Sequence, residues 1–282
     1  MSNNKKYLVT GGCSFSQPGN ENITWPIHLE EYLNPEHVLH GGRGCADNTT
    51  IARLAIYNVH QMLSSGVSPD QMLVGIMWSG IDRHSVYITR DDYPHDCFGE
   101  LVEARDRNGL PTVYHMNPLF IACEERNQYL MHANFEDSSS HLYWKHFYDP
   151  IGSQITSLEN VLRLQWYLKA HGIDYFMTEF SWYSIHDHRP EQDETPRNKL
   201  DHPDVSYLLD QVDHDHWLDI DCMTAWVERK QIPYTRENDI HPSTIAHQRF
   251  LHLCSTIFLS LLFSLSLLVP SFLCSPHFMV ID

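Results

Sequence analysis

Apolar positions along the first third of the chain switch between two periods. Tyr7 to Thr10 is a short apolar run, the pattern of a buried strand. Trp25, Leu29 and Leu33 recur at helical spacing, which predicts a helix from Trp25 to Leu33. Val38 and Leu39 form a short second strand that ends at the glycine-rich turn His40-Gly41-Gly42-Arg43-Gly44. Asn48 or Thr49 caps a second helix running to about Leu63, with Ile51, Leu54, Ala55 and Val59 on one face. Met72 to Trp78 is continuously apolar, as expected of a strand covered on both faces. This alternation of strand and helix predicts an α/β fold with a doubly wound parallel sheet.

From about Ser85 to Pro150 the periodicity fades into polar clusters and scattered aromatics, read as a lid-like insertion (85–150) of loops and short helices. Order returns with a helix from Ser153 to His171, stopped by Gly172, and a strand from Ile173 to Phe180. Leu200 to Asp215 reads as polar connection, Trp217 to Lys230 as a helix, and Thr244 to Phe250 as the start of the last one. Residues 1–250 are therefore expected to form one domain. Leu251 to Ile281 then lacks any Asp, Glu, Lys or Arg. Cys254 to Phe272 has the length of a membrane span, but five serines and Pro270 dilute its apolarity. Three readings of 251–282 stay open: its first turns complete the core, it is a C-terminal membrane anchor, or it is an aberrant end from a shifted reading frame.

Composition narrows the function classes. Asp plus Glu number 36 against 19 Lys plus Arg, a formal net charge of −17, and no basic cluster interrupts it. Nucleic-acid binding draws its affinity from phosphate neutralisation, so this chain is not expected to bind nucleic acid. Its seven cysteines are odd in number and irregular in spacing, with no Cys-x-x-Cys, which fits free thiols in a reducing compartment. The short polar start, Met1 to Lys6, is not a signal peptide. A cytoplasmic location follows, with membrane association expected only through the 251–282 tail.

The candidate chemistry sits at two distant points. The first strand runs into Gly11-Gly12-Cys13-Ser14-Phe15-Ser16, and Asn238-Asp239-Ile240-His241-Pro242-Ser243 precedes the last helix. A serine hydroxyl is a poor nucleophile at neutral pH and needs an imidazole within hydrogen-bond reach, which a carboxylate in turn orients. Gly11 and Gly12 permit the tight turn that exposes Ser14 at the carboxyl edge of a sheet. Cys13 is a rival nucleophile that alternation points elsewhere, and Ser16 reads as a helix-start residue. Among 20 histidines, His241 stands out because Asp239 lies two residues before it and Pro242 directly after. Pro242 forces His241 out of helical geometry, and Ser243 or Thr244 can cap the helix that follows. His247, inside that helix, reads as structural.

These blocks resemble the SGNH (GDSL-type) hydrolases, a flavodoxin-like α/β family of esterases and lipases. The resemblance covers roughly residues 7 to 250 through three or four short blocks. It implies a three-layer α/β/α sandwich with a parallel sheet, with Ser14 as nucleophile, Asp239 as acid and His241 as base. The family's last block has two residues between Asp and His where this chain has one, and Asn238 occupies the usual Asp position. The turn from Gly42 to Asn48 is similar to the second block, which assigns Gly44 as an oxyanion donor beside the Ser14 backbone N–H. The third block ends Gly-x-Asn-Asp, whereas here the strand ends Trp78-Ser79-Gly80. Ser79, or Asn48 from the neighbouring loop, is then expected to replace the missing asparagine. The implied activity is hydrolysis of a small acyl or acetyl ester of a carbohydrate or lipid, with no cofactor and no metal. The alternatives are a catalytically impaired binding protein on the same fold, and a metal-dependent hydrolase using His186-Asp187-His188 and Asp213-His214-Asp215-His216. Both histidine clusters read better as solvated loops. Asp82-Arg83 reads as a loop-fixing ion pair, with Arg83 also able to meet a substrate carboxylate.

Overall fold

The computed structural model describes residues 5–18, 23–44, 46–81, 83–87, 118–122, 148–180, 185–186, 201–218, 220, 222–235 and 241–252. In chain order the elements are β1 (Tyr7–Gly12), α1 (Trp25–Leu33), β2 (His37–Gly42), α2 (Asn48–Ser64), β3 (Met72–Trp78), β4 (Arg83–Tyr87), β5 (Pro118–Ala122), α3 (Pro150–His171), β6 (Asp174–Glu179), α4 (Pro203–Leu209), α5 (Met223–Arg229) and α6 (residues 244–252). β1, β2, β3 and β6 form a parallel sheet in the order β2-β1-β3-β6, so the fold is α/β as the alternation of elements predicts. β4 and β5 pair antiparallel in a separate two-stranded sheet. That sheet falls largely in the stretch expected to hold loops and short helices; most of 85–150 lies outside the described residues.

Alternation of side chains across the strands divides the core in two. Val9, Val74, Ile76, Tyr175 and Met177 face one side, where Ala55 and Val59 of α2, Leu158 and Leu162 of α3, and Val205 of α4 pack on them. Leu8, Leu73, Met77 and Phe176 face the other, against Trp25 and Leu29 of α1, Trp226 of α5, and Ala246 and Phe250 of α6. Every residue of β3 is buried, which explains its unbroken apolar run: it lies between β1 and β6 with both faces covered. Leu251 is also buried in the second cluster, so the first residue of the apolar tail belongs to the core. Residues 253–282 lie outside the described residues. Among those described, no helix is long and apolar enough to cross a membrane.

Local chemistry moves several boundaries. The carboxylate of Asp47, rather than Asn48 or Thr49, caps α2 by accepting the Thr50 N–H at 2.9 Å. Asp149 caps α3 in the same way through Gly152, so the helix begins at Pro150, before Ser153. The stretch expected to be polar connection contains α4. The expected helix from Trp217 to Lys230 is shorter, because Trp217 pairs with Met177 as a parallel bridge and Leu218 N–H donates to the Met177 carbonyl at 2.9 Å. The edge of the sheet claims those residues before α5 starts.

The turn after β1 is fixed by what its neighbours lack. Ser14–Ser16 forms one 3₁₀ turn, and its backbone lies directly over Gly42 of β2. A Cβ on Gly42 would fall 2.2 Å from the Ser16 carbonyl oxygen and 2.7 Å from the Gln17 nitrogen. Gly12 has φ +154, and a Cβ there would meet Ser16 Oγ at 2.2 Å and the Met77 carbonyl oxygen at 2.9 Å. Since backbone atoms form the obstacle at Gly42, no rotamer change relieves it. Gly42→Ala is expected to lower the urea-derived unfolding free energy by about 1–3 kcal/mol. Gly44→Ala, whose Cβ would meet only the flexible Gln17 Oε1 at 3.1 Å, should stay within about 0.5 kcal/mol of the parent. Equal effects at the two positions would show that the turn does not press on β2.

Candidate active site

β1 delivers Ser14 to the carboxyl edge of the sheet, at the point where the strand order reverses between β1 and β3. In open α/β sheets this crevice is where ligands bind. Ser14 is half-buried, and its hydroxyl is hydrogen-bonded to His241 Nε2 at 2.9 Å, joining residues 227 positions apart. The imidazole lies against the Phe15 ring, with centroids 5.0 Å apart. Thr235 holds the loop beneath it: its N–H and hydroxyl both donate to the His241 carbonyl at 3.0 Å, and the hydroxyl also reaches the Pro242 carbonyl at 3.1 Å. Ser243 then caps α6, its Oγ accepting the Ala246 N–H at 3.4 Å. Asp239 and Asn238 lie outside the described residues.

The neighbours of Ser14 have other tasks. Cys13 is fully buried in the second core cluster, and Ser16 Oγ, also fully buried, accepts the indole N–H of Trp25 at 2.9 Å. The backbone N–H of Trp25 donates in turn to Nδ1 of the buried His247 at 3.2 Å. This contact ties α6, and so the His241 loop, to the start of α1. Burial first, then the nearby His28 and His241, push the His247 imidazole down to about 3, so it stays neutral and keeps its role as acceptor.

The three expected oxyanion groups are placed differently from one another. The Gly44 N–H donates to Gln17 Oε1 at 2.6 Å, so the Gln17 side chain occupies this donor. Ser79 is fully buried; its N–H donates to Asn48 Oδ1 at 2.8 Å and its hydroxyl has no hydrogen-bond partner among the described residues. Asn48 donates from Nδ2 to the Ser79 carbonyl at 3.2 Å and to Ser157 Oγ at 3.1 Å. Both amide protons of Asn48 are thus engaged, and the side chain holds the Ser79 peptide as a neighbouring strand would. Gln17 and Thr235 carry no motif and were invisible in the sequence. Their roles arise only because the turn after β1 meets the loop after β2, and the His241 loop folds back on residue 235.

In the histidine clusters His214 and Asp215 are exposed, as expected of a solvated loop, while His186 and His216 pack against neighbours. His186 Nδ1–H donates to the buried Glu179 carboxylate at 2.5 Å, and its ring meets Trp217 edge-on at 4.7 Å. Burial pulls the His186 imidazole down, but the charge and hydrogen bond of Glu179 outweigh it and raise it above the ordinary value. His216 stacks on Tyr175 at 4.2 Å and pairs with Asp213, which also binds Lys169 and the Tyr175 hydroxyl. Burial drives the Asp213 carboxyl up, and Lys169, His216 and Tyr175 together bring it below its usual range. Asp187 and His188 lie outside the described residues, as does Asp82. Among the described residues no three His, Cys, Asp or Glu side chains are grouped to hold a metal ion. Arg83 lies over the Phe180 ring, 4.8 Å from its centroid.

Comparison of the chain with protein-family models, curated proteins and solved structures found no match in any of the three.

The neutral His247 has a consequence for pH. Unfolded, its imidazole titrates near 6.5; folded, it does so at about 3. Between these values the unfolded chain binds a proton that the folded one refuses, so this contribution is complete above about pH 6.5 and is lost as pH falls toward 3. His247→Asn retains an acceptor for the Trp25 N–H and removes the titration. Urea unfolding at pH 7, 6 and 5 should show a flatter decline in the variant; parallel declines would exclude a buried neutral imidazole.

Proposed function

We propose that this protein is a serine-dependent ester hydrolase of the SGNH (GDSL) type, acting on a small acyl or acetyl ester. The observation that carries the reading is the 2.9 Å contact between the Ser14 hydroxyl and His241 Nε2 at the carboxyl edge of a parallel sheet. In this mechanism Ser14 attacks the acyl carbon while His241 takes its proton, then returns it to the departing alcohol. Water, activated by the same imidazole, releases the acyl group from Ser14. Asp239 is assigned to orient His241. The Ser14 and Gly44 N–H groups and the Ser79 hydroxyl are assigned to the oxyanion, with Asn48 fixing the Ser79 peptide and Gln17 yielding Gly44 to the substrate.

The finer architecture belongs to the same proposal: a three-layer α/β/α sandwich with flavodoxin-like strand order. It is supported by the order β2-β1-β3-β6 and by apolar helices over each face. A reducing, cytoplasmic setting belongs to the same proposal, supported by the odd number and irregular spacing of the seven cysteines. A second reading, a binding protein that keeps the fold without turnover, is favoured by the engagement of the Gly44 N–H and of both Asn48 amide protons.

A fluorophosphonate probe separates the two. Labelling of the parent protein that disappears in Ser14→Ala supports the enzyme, and a folded parent that stays unlabelled supports the binding protein. In the enzyme, His241→Ala should lower kcat for p-nitrophenyl acetate by at least about 10³-fold. Asp239→Asn should cost about 10³–10⁴-fold by favouring the wrong tautomer. Near-normal turnover of Asp239→Asn would pass the orienting role to another group.

A further inference from the structure

A cavity of about 230 Å³ opens beside the clamp between Asn48 and Ser79, where α2 and α3 begin. Among the described residues Ile81 is the only apolar side chain on its wall. Hydroxyls come from Thr49, Ser153, Thr156 and Ser157, and an amide comes from Asn160. Two of these hydroxyls are set in advance by the wall. Asn160 Nδ2 donates to Thr49 Oγ1 at 3.0 Å, and Asn48 Nδ2 donates to Ser157 Oγ at 3.1 Å. Each hydroxyl therefore accepts from the protein. Arg83 and Asp149 also line the space and cancel in formal charge.

The lining selects among ligands. A hydrocarbon chain would cover hydroxyl and amide groups without satisfying them, so the acyl tail of a lipid is a poor occupant. An anion would meet Asp149 as well as Arg83, on a chain whose net charge is −17. A neutral ring bearing several hydroxyls offers donors and acceptors together, as this wall requires. The volume is below the roughly 300–1,000 Å³ of cavities for drug-sized ligands, which suits a single ring.

Neither Ser14 nor His241 lines the cavity, but packed side chains link its wall to them. Asn48, in its wall, grips the peptide at the end of β3, next to the strand that carries Ser14. The Arg83 guanidinium lies 4.8 Å from the Phe180 centroid, Phe180 is 4.6 Å from Phe15, and Phe15 is 5.0 Å from His241. We propose that the cavity is a subsite for a neutral polyhydroxylated ring of monosaccharide size, the alcohol portion of the ester cleaved at Ser14. The assignment of the ring to an ester rests on the hydrolase reading; recognition of the ring does not.

The test separates binding from turnover. Saturation-transfer NMR with a panel of methyl glycopyranosides is run on the full-length parent, on Ser14→Ala, and on Thr156→Phe, which fills the cavity from an exposed helix position. Ser153→Phe serves as the second filling variant should Thr156→Phe not melt cooperatively. Transfer to ring protons in the parent and in Ser14→Ala, with apparent Kd raised at least tenfold by the filling variant, is the expected result. In turnover, the same variant should lower the ratio of kcat/KM for mono-acetylated methyl glycosides over p-nitrophenyl octanoate at least tenfold. Glycoside binding without any ester hydrolysis would support the subsite while removing the hydrolase reading. No transfer from any glycoside, or transfer unaffected by a folded filling variant, would overturn the subsite whatever the esterase assays show.

Discussion

The clearance between the Ser14–Ser16 turn and the glycines around it is the constraint on which the rest of the site depends. Gly42 lets the turn lie flat on β2, and Gly12 lets β1 bend into it. From that position Ser16 accepts the Trp25 indole, Trp25 donates its backbone N–H to His247, and the helix carrying His247 follows directly on the loop of His241. Each of these hydrogen bonds is individually modest, about 0.5–1.5 kcal/mol net. Their effect is cumulative because they are buried and in series. The Phe15 ring, itself backed by Phe180, packs against the imidazole, so that ring has packing as well as a hydrogen bond to hold it.

A second, polar constraint operates at the end of β3. Asn48 supplies the Ser79 peptide with both an acceptor and a donor, acting as a piece of strand where the sheet offers none. The same amide reaches Ser157 on α3, so one side chain joins α2, β3 and α3 at the carboxyl edge. Polar groups buried this deeply are tolerated because they satisfy one another. The Asn160 contact to Thr49 extends the seam along the two helices and leaves the polar cavity between their starts. Asn48, at the start of the neighbouring helix, thus has a structural task.

Charged pairs outside the site show that a histidine-rich stretch can mix packed and solvated side chains. His186 and His216 sit in runs of His and Asp that look like surface loops. One is closed over a buried glutamate and the other is stacked on a tyrosine. Removing the His186 imidazole would take one charge partner from the buried Glu179 carboxylate. Composition alone cannot distinguish such a pair from a solvated one, because what decides it is the tertiary neighbour that excludes water.

The strands of the parallel sheet, the amphipathic helices α1, α2 and α3, and the meeting of Ser14 with His241 were legible because each leaves a local trace. Strand β3 is an unbroken apolar run, the helices repeat at helical spacing, and the two short blocks carry turn-forming glycines and a proline beside their chemical groups. Less was legible where the trace was absent. The early end of the expected helix after Trp217 came from pairing with Met177, which no window on residues 217–230 contains. Engagement of Gly44 by Gln17, support of His241 by Thr235 and capture of Ser79 by Asn48 each join segments that are unremarkable in isolation. The sequence by itself determined the order of the parallel strands and of α1, α2 and α3, and singled out candidate residues for chemistry, since propensity and periodicity are properties of neighbours in the chain. Only the tertiary structure decided which donors are engaged, which histidines are dry and where a polar cavity opens, because hydrogen bonding and desolvation depend on neighbours in space.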